Sequence, residues 1–239
     1  MYHEKIPVSR RGPDGLSASQ ILAVARELVE REGVESLTMR GLADQLGVAP
    51  NSIYSHFSDK GALIDAVLDD LLAEIPVQDA PVPWQDGIVA LMEASREMLL
   101  RHGPLLPHLF AGPMRGPEVS RLAEAALAML EQGGIRGPDA VAGLRAILTY
   151  TFGSVALDAP RRLDDPAQRE AAGAAAFAAR TEPRVAALAE PLARRPADTD
   201  FATSLRWLLD GLEGALSEAS SSKGTAKAKG PDGQRWGPE

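Results

Sequence analysis

The sequence predicts an all-α fold, in which short helices near the N terminus precede a larger helical domain. Aromatic residues make up only 5% of the 239 residues, whereas Ala and Leu are abundant. Apolar residues recur at helical spacing, and Gly and Pro lie between the apolar runs rather than inside them, which favours helices joined by short connections. We therefore expect little or no sheet.

The first helix has a clear start and a clear end. Ser17 is placed as its N-cap, Gln20 follows three residues later to complete a capping box, and Leu16 and Ile21 are spaced to pack together around the cap. Gly33 lies where the chain needs a left-handed residue to leave the helix. The apolar residues between these signals share one face, which is predicted to be core.

The second and third helices are predicted to be short and to be separated by a tight turn. Thr38 is a candidate N-cap of the second helix, and Gly47 is placed to end it after about two turns. Pro50 suits the first position of the third helix, where proline loses no helical hydrogen bond. Ile53 and Phe57 are four residues apart and are expected to pack on the second helix, which leaves the polar side chains outside.

A fourth helix and further helical segments account for the rest of the chain. Ser58 is the predicted cap of the fourth helix, whose apolar stripe from Leu63 to Leu72 is followed by a predicted end at Pro76. The proline-rich stretch 76–83 is a candidate domain joint. Gly and Pro clusters predict later helices at about 84–102, 105–111, 117–132, 138–158, 166–193 with a break near Pro183, and 199–219.

Composition narrows the class of protein. The net charge of -8 argues against a protein that coats nucleic acid without regard to sequence, but it is compatible with a basic reading face on an acidic body. The chain has no cysteine and only four scattered histidines, so no disulfide, metal or cofactor is predicted. No signal peptide is evident, and no uncharged apolar run reaches bilayer length, which predicts a cytoplasmic protein.

Both ends of the sequence are predicted to be tails. Residues 1–15 are polar and broken by proline, and residues 220–239 have almost nothing to bury. Arg10 and Arg11 lie next to the first helix, where a basic arm either touches DNA or is simply solvated. The sequence leaves these two interpretations open.

The third helix meets the requirements of a helix that reads DNA. The major groove admits a helix that presents short polar or aromatic side chains near its N-terminal end. Asn51 and Ser52 can bond base edges or phosphates, whereas Lys60 can add its charge to the N-terminal amides of the next helix. The candidate DNA-binding residues are Thr38, Arg40, Asn51, Ser52, Tyr54, Ser55, His56 and Lys60.

The same residues carry a family resemblance. The segments Leu37-Thr38-Met39-Arg40-Gly41-Leu42-Ala43, Leu46-Gly47-Val48 and Ile53-Tyr54-Ser55-His56-Phe57, with Lys60 and Leu63, resemble the tetracycline-repressor family of bacterial regulators. The specific part of this similarity lies between residues 17 and 75. Ala49 departs from the Ser or Thr that is usual at the cap of the reading helix, which weakens capping by about 1 kcal/mol, and Pro50 can offset the loss.

The resemblance implies an all-helical homodimer that binds a palindromic operator. It assigns Tyr54, His56 and Lys60 to the DNA backbone and makes Arg40, Asn51, Ser52 and Ser55 the variable base readers. The implied organisation is a flexible basic arm at 1–15, a helix-turn-helix domain at 16–60, a linking helix and joint at 61–83, an effector-binding and dimerisation domain at 84–219, and a disordered tail at 220–239.

The helical body offers a candidate dimer seam and a candidate effector cavity. By the resemblance, the helix from Pro138 and the last helix form a four-helix seam with their copies; the alternative is that both are intramolecular core. The candidate cavity lining is Trp84, Met92, Met98, His102, His108, Phe110, Met114 and Tyr150. Met and aromatic residues at helical spacing are also typical of ordinary core, so this alternative stays open.

The drug site of the family's tetracycline-binding member does not carry over to this sequence. That protein binds its drug as a magnesium complex, but its drug-holding asparagine and phenylalanine fall on Leu91 and Ser95. Its histidine on the fourth helix falls near Pro76, and its metal-binding histidine falls on Leu109, one place from His108. We therefore expect a different and largely apolar small-molecule effector, or none.

The leading hypothesis is a homodimeric repressor that a small molecule releases from double-stranded DNA. A ligand-independent DNA-binding dimer or an activator is the alternative. An enzyme would have to use Asp158, Asp164, Asp165 and His108, and the sequence contains no nucleophile elbow, phosphate loop or paired metal motif to organise them.

Overall fold

The structure is a computed structural model that describes residues 16–78, 81–106, 108, 116–158, 166–194 and 198–227. All regular structure within these ranges is helical. The α-helices are α1 (Ala18–Glu32), α2 (Met39–Leu46), α3 (Pro50–Tyr54), α4 (Lys60–Leu72), α5 (Trp84–Arg101), α6 (Pro117–Gln132), α7 (Gly137–Asp158), α8 (Pro166–Ala178), α9 (Pro183–Ala187), α10 (Ala189–Ala193) and α11 (Asp198–Lys227). Short 3-10 turns span Val34–Ser36 and Gly103–Leu105.

The capping signals of the first two helices are confirmed. The Ser17 hydroxyl accepts the Gln20 N–H at 3.2 Å, and the Gln20 side chain accepts the Ser17 N–H at 2.9 Å, which completes the capping box. Gly33 ends α1 with a φ of 83°. Thr38 Oγ1 accepts the Gly41 N–H at 3.0 Å at the start of α2. These local bonds set the boundaries of both helices.

The fourth helix differs from its prediction at both ends. Asp59, not Ser58, is the N-cap, because Asp59 Oδ1 accepts the Ala62 N–H at 2.9 Å and the Ser58 hydroxyl donates to the other carboxylate oxygen. The helix ends at Leu72 rather than at Pro76. Ile75 precedes that proline and is therefore disfavoured in the helical conformation, so the chain turns away before reaching it.

One contiguous core joins the N-terminal helices to the body. It runs from Ile21 and Ile53 through Leu71 of α4 to Ile88 and Leu130. Helix α4 packs against α1 on one side and against α5 and α6 on the other. A displacement within the body can therefore reach the N-terminal helices through packed side chains.

The helical body follows the predicted boundaries closely. Helix α6 spans the predicted 117–132, and the predicted break near Pro183 is confirmed as the gap between α8 and α9. The predicted helix at 105–111 is described only as far as Leu106 and at His108, and these residues follow a 3-10 turn.

The structure describes part of one predicted tail and none of the other. The N-terminal arm lies outside the described residues. Helix α11 continues to Lys227 and so passes the predicted boundary at residue 219, while 228–239 lie outside the described residues. Extending an existing helix avoids the cost of nucleation, so weakly helical residues can follow a strong helix.

Helices α7 and α11 pack on each other and on α5 within the chain. These are the two helices of the candidate dimer seam, and Ile147, Val155, Leu205 and Leu209 on them are fully buried intramolecular core. By length and composition, α7 is the one described helix that is long and apolar enough to cross a bilayer, a test that core helices of soluble proteins also pass.

Candidate nucleic-acid interface and effector cavity

The turn between α2 and α3 aims the third helix outward. Gly47 ends α2 in the left-handed region, with φ 67° and ψ 35°, and the Val48 N–H bonds back to the Ala43 carbonyl at 3.0 Å. Pro50 is the first residue of α3, as predicted, and Ala49 provides no side-chain cap. Glycine is required at position 47 because a side chain strains a left-handed backbone.

The third helix separates its anchoring residues from its candidate DNA contacts. Ile53 is fully buried, and Phe57 is half-buried against the same core. Thr38, Arg40, Asn51, Tyr54, Ser55 and His56 are exposed, and Ser52 and Lys60 are half-buried. All eight candidates lie in one segment of the chain, 38–60, and six of them are exposed to solvent.

Some polar groups in this segment are already occupied. The Ser55 hydroxyl donates to the Ser52 carbonyl at 2.9 Å, so its oxygen is left as an acceptor. Asp59 bonds the Ala62 amide at the start of α4, and this hydrogen bond is the main reason that the pKa of Asp59 is lowered. That amide is not free for a phosphate. Lys60 would consequently contribute its charge rather than a shared amide site.

An apolar cavity of about 80 Å³ lies between α4, α5, α6 and α7. Met92 and Met98 line it, as predicted. The remaining lining residues are Leu72, Ile75, Ser95, Leu99, Val119, Leu122, Ala123, Ala126, Leu144, Leu148, Thr151 and Phe152. The predicted lining included no residue of α4 or α6; the signal for α4 was an apolar stripe that is too wide for packing on α1 alone.

The other predicted cavity residues lie elsewhere. Trp84 packs against Gly133, where an added Cβ would approach Trp84 Cε2 to 2.6 Å. Tyr150 stacks on Phe201 and donates its hydroxyl to the Phe201 carbonyl at 3.1 Å. His108 is half-buried and is not among the residues that line this cavity. Phe110 and Met114 are outside the described residues.

The walls of the apolar cavity offer few polar groups. Ser95 Oγ donates to the Leu91 carbonyl at 2.7 Å, and Thr151 Oγ1 donates to the Ile147 carbonyl at 2.9 Å. Both hydroxyl protons are therefore used within their own helices, and only oxygen lone pairs remain for a ligand. The chemistry of this cavity matches the expected apolar effector.

A buried ion pair lies on the opposite side of α7, beside a second and more polar cavity of about 480 Å³. Arg96 Nη2 is 2.8 Å from Asp158 Oδ2, and the two side chains are only 6% and 4% exposed. Arg96 also donates to Ser154 Oγ at 2.9 Å and lies over the Phe201 ring. Asp158 is thus committed to holding Arg96, while Asp164 and Asp165 lie outside the described residues.

Charged side chains connect α1 to the body at the joint. Arg26 Nε donates to Glu30 at 2.9 Å, and the same guanidinium pairs with Glu74 just after α4. Arg101 at the end of α5 lies 3.5 Å from Glu74. His102 Nδ1 lies 3.2 Å from Glu30 Oε1. Among the described residues, no cluster of side chains is suited to a metal ion.

Known proteins resemble both parts of this chain. A family model described as "Bacterial regulatory proteins, tetR family" matches residues 21–67, and one described as "Tetracyclin repressor-like, C-terminal domain" matches residues 78–216. The chain belongs to the tetracycline-repressor family. It is therefore a transcriptional regulator with a DNA-binding N-terminal domain and a helical C-terminal domain, and regulators of this family are generally not enzymes.

Individual relatives agree with this assignment. The regulator is 34% identical over 154 residues to an HTH-type transcriptional regulator of Saccharopolyspora erythraea, a match that covers 64% of this chain and 65% of that protein. It is 30% identical to the class A tetracycline repressor from transposon 1721 of Escherichia coli, over 82% of this chain and 90% of that one.

Solved structures share the fold. Apo ActR from Streptomyces coelicolor superposes with a TM-score of 0.77 at 23% identity, covering 87% of this chain and 100% of that one. The same protein in complex with actinorhodin gives a TM-score of 0.76 at 23% identity, covering 82% of this chain and 95% of that one. At this level of identity the likeness establishes the common fold.

Proposed function

We propose that this regulator is a cytoplasmic homodimeric repressor that binds a palindromic operator and is released by a small, largely apolar effector. The observation that carries the proposal is the position of α4. Its first residue, Lys60, follows the DNA-reading segment, and its last residue, Leu72, lines the apolar cavity. Thirteen helical residues make a rigid connection of about 20 Å between the two sites.

Helix α6 is bonded to α4 and completes the route from cavity to interface. Asp69 Oδ1 accepts the Glu118 N–H at 3.0 Å, and Arg121 donates to the carbonyls of Leu72 and Ile75 at 3.3 and 3.0 Å. An effector that separates α6 from α5 would therefore pull on the end of α4. Paired reading helices must match half-sites about 34 Å apart, so a small rotation of α4 is sufficient to weaken operator binding.

Within the DNA interface, we assign sequence reading to Arg40, Asn51, Ser52 and Ser55 and backbone binding to Tyr54, His56 and Lys60. Thr38 Oγ1 already accepts the Gly41 N–H, so its hydroxyl proton is left to donate to a phosphate. The buried anchor Ile53 lies next to exposed Tyr54, so the helix can be held rigidly while its polar side chains contact DNA.

Exposed apolar side chains support dimerisation through α7 and α11. Val141 and Leu157 of α7 and Trp207 of α11 are among the exposed large hydrophobic residues, and Trp207 is 70% exposed. Aromatic and aliphatic side chains on two adjacent helices are suited to a helical seam with a second copy. Relatives of the family bind DNA as dimers, and a palindromic operator requires the same symmetry.

A ligand-independent DNA-binding dimer is the second candidate. The apolar cavity has a volume of only about 80 Å³, whereas sites for drug-sized ligands occupy about 300–1000 Å³. Effector binding would have to open the cavity, and the flexible side chains of Met92 and Met98 are suited to this. A thermal-shift screen of apolar compounds separates the candidates, since an effector that binds the folded dimer must stabilise it.

Selection from random duplex DNA tests the central claim. The full chain should enrich palindromic sites, bind them as two copies in multi-angle light scattering, and retain sequence preference from 50 to about 200 mM salt. Arg40→Ala should alter the enriched sequence, whereas Arg31→Ala, an exposed arginine on α1, should not. Recovery of random sequence would contradict a sequence-specific regulator.

A further inference from the structure

The apolar cavity is adjoined by a smaller one that ends at a histidine. Leu72, Met98 and Leu99 line both cavities, and the smaller one has a volume of about 10 Å³. The smaller cavity is lined by seven apolar residues and by His102. His102 is therefore the polar residue of an otherwise apolar cavity next to the larger one, and it also lines a cavity of about 180 Å³ beside Glu30 and Arg101.

His102 is buried, and one of its nitrogens has no partner. The residue is only 7% exposed, and Nε2 makes no hydrogen bond. The other ring nitrogen, Nδ1, faces Glu30 of α1 at 3.2 Å. Because the two ring nitrogens point in diverging directions, Nε2 points away from Glu30. A buried polar atom without a partner is costly, and the residue that carries this one lines the smaller cavity.

The side chains of the two neighbouring cavities offer a ligand hydrogen-bond acceptors only. Burial lowers the pKa of His102 below the ordinary value of 6.5, so its ring is neutral at pH 7 and carries one proton. The adjacent Glu30 carboxylate favours that proton on Nδ1, which leaves a lone pair on Nε2. The Ser95 and Thr151 hydroxyls have already donated their protons. A matching ligand must therefore bring the donor.

We infer that the effector is a compact apolar molecule with one O–H or N–H group that donates a hydrogen bond to His102 Nε2. Binding of the effector then changes the interaction between His102 and Glu30 of the DNA-binding domain. This inference rests on the proposed function and specifies its ligand chemistry and its relay. A donor on Nε2 polarises the ring and strengthens the interaction of Nδ1–H with the carboxylate. The effector then favours the arrangement in which α1 is held against the body.

The position of Glu30 makes this relay direct. Glu30 lies on α1, and its Oε1 also accepts the Arg26 guanidinium, which in turn pairs with Glu74 after α4. His102 is the C-cap residue that directly follows α5. One contact thus joins the end of a cavity-lining helix to the first helix of the DNA-binding domain, without passing through α4.

Two probes with equal apolar bodies test the ligand chemistry. Isothermal titration of the full chain with 1-naphthol and with 1-methoxynaphthalene should give an affinity about tenfold higher for the naphthol, since only it donates a hydrogen bond. His102→Asn keeps an amide group near the Nδ1 position but lacks the Nε2 acceptor, so the ratio of the affinity for 1-naphthol to that for 1-methoxynaphthalene should fall to about one. His102→Gln, which places an amide near the Nε2 position, should restore part of the preference.

The outcomes separate the inference from the proposed function. Equal binding of the two probes by the unaltered protein, or an unchanged ratio in His102→Asn, overturns the inference and leaves the effector cavity standing. Failure of both probes to bind the unaltered protein overturns the apolar effector cavity itself, and the inference with it.

A charge-matched pair of variants tests the relay. With a duplex obtained by selection, saturating 1-naphthol should reduce the DNA affinity of the unaltered protein about tenfold or more, within the usual range of allosteric coupling. Glu30→Gln should bind 1-naphthol more weakly, because the carboxylate that favours the proton on Nδ1 is gone, and at a naphthol concentration that saturates the variant its DNA affinity should fall less than about twofold. Glu27→Gln removes the same charge from an exposed position on α1 and should behave as the unaltered protein. Equal responses of the two variants would refute the role of Glu30.

Discussion

The DNA-binding segment and the helical body place their polar side chains in opposite environments. In the segment 38–60, most candidate contacts are exposed and the apolar anchors lie beneath them. In the body, Arg96 and Asp158 form a buried pair and His102 is buried beside an apolar cavity. Substitutions in the segment should therefore change DNA binding with little loss of stability, whereas substitutions in the body should change stability or the coupling between effector and DNA.

The largest effect is expected from Asp158→Ala. Removing one partner of a buried ion pair is strongly destabilising and costs about 3–5 kcal/mol of unfolding free energy. Urea denaturation at fixed protein concentration measures the change. Arg31→Ala, which breaks the exposed pair with Glu32, is the control and should cost less than about 1 kcal/mol. Similar losses in both variants would break the contrast between buried and exposed pairs.

Ile53→Ala and Tyr54→Phe sharpen the comparison within α3 itself. Ile53 is fully buried, so its truncation should lower the unfolding free energy by about 2–5 kcal/mol. Tyr54→Phe removes an exposed hydroxyl and should change stability by less than about 0.5 kcal/mol while weakening DNA binding. Thermal unfolding and electrophoretic mobility shift of the same preparations measure both. A stability loss in Tyr54→Phe would show that its hydroxyl is structural.

Asp69→Ala should affect both stability and effector response. The Asp69 carboxylate accepts the Glu118 N–H at the start of α6, and loss of such a cap costs about 0.5–2 kcal/mol. The same variant loosens α4 from α6 and should weaken the coupling between effector and DNA. Asp65→Ala, at an exposed position on α4, is the matched control. Unchanged coupling between effector and DNA binding in Asp69→Ala would show that the Asp69–Glu118 hydrogen bond does not transmit the effector's influence to α4.

Lys60→Ala and Asn51→Ala separate the two kinds of DNA contact. Lys60→Ala removes one phosphate contact from each of the two subunits, so it should reduce the slope of log affinity against log salt by about 1.8 and weaken all sites alike. Asn51→Ala should leave that slope unchanged and relax sequence preference. Binding titrations at several salt concentrations on cognate and altered duplexes measure both quantities. A reduced salt slope in Asn51→Ala would show that Asn51 contacts the DNA backbone rather than the bases.

The smallest effect is a pH dependence due to His102. Burial holds its pKa in the folded protein below 6.5, so the unfolded chain binds a proton more readily as the pH falls. Stability should therefore be greatest above pH 6.5 and should decrease as the pH falls from 6.5 towards the folded pKa. His102→Asn should remove this component, as measured by urea denaturation between pH 7.5 and about 5.5. An identical pH profile in that variant would assign the dependence to other groups.

Local signals predicted the DNA-binding segment well because they act between neighbouring residues. The Ser17 capping box, the Thr38 cap, the left-handed Gly47 and Pro50 at the start of α3 all involve bonds or dihedral angles within a few positions. The cap of α4 was predicted one residue too early, since Ser58 and Asp59 are both good caps. Only the folded turn shows that Asp59 reaches the Ala62 amide.

The cavity was predicted less well because its walls come from four helices that are distant in sequence. Met92 and Met98 were identified, but Trp84 fills the space beside Gly133 and Tyr150 stacks on Phe201. Helical spacing shows that a side chain faces inward without showing which neighbour it meets. Val119, Leu122 and Ala126 of α6 carry no feature that distinguishes a cavity wall from core.

The sequence by itself determined the helical architecture, the position of the DNA-reading helix and the family, since periodicity, caps and a contiguous motif are local properties. Tertiary structure alone decided that Arg96 meets Asp158 across 62 residues and that His102 lies between Glu30 and an apolar cavity. Such pairings depend on how helices cross in space, and the free energy that selects a crossing comes from packing over the whole core.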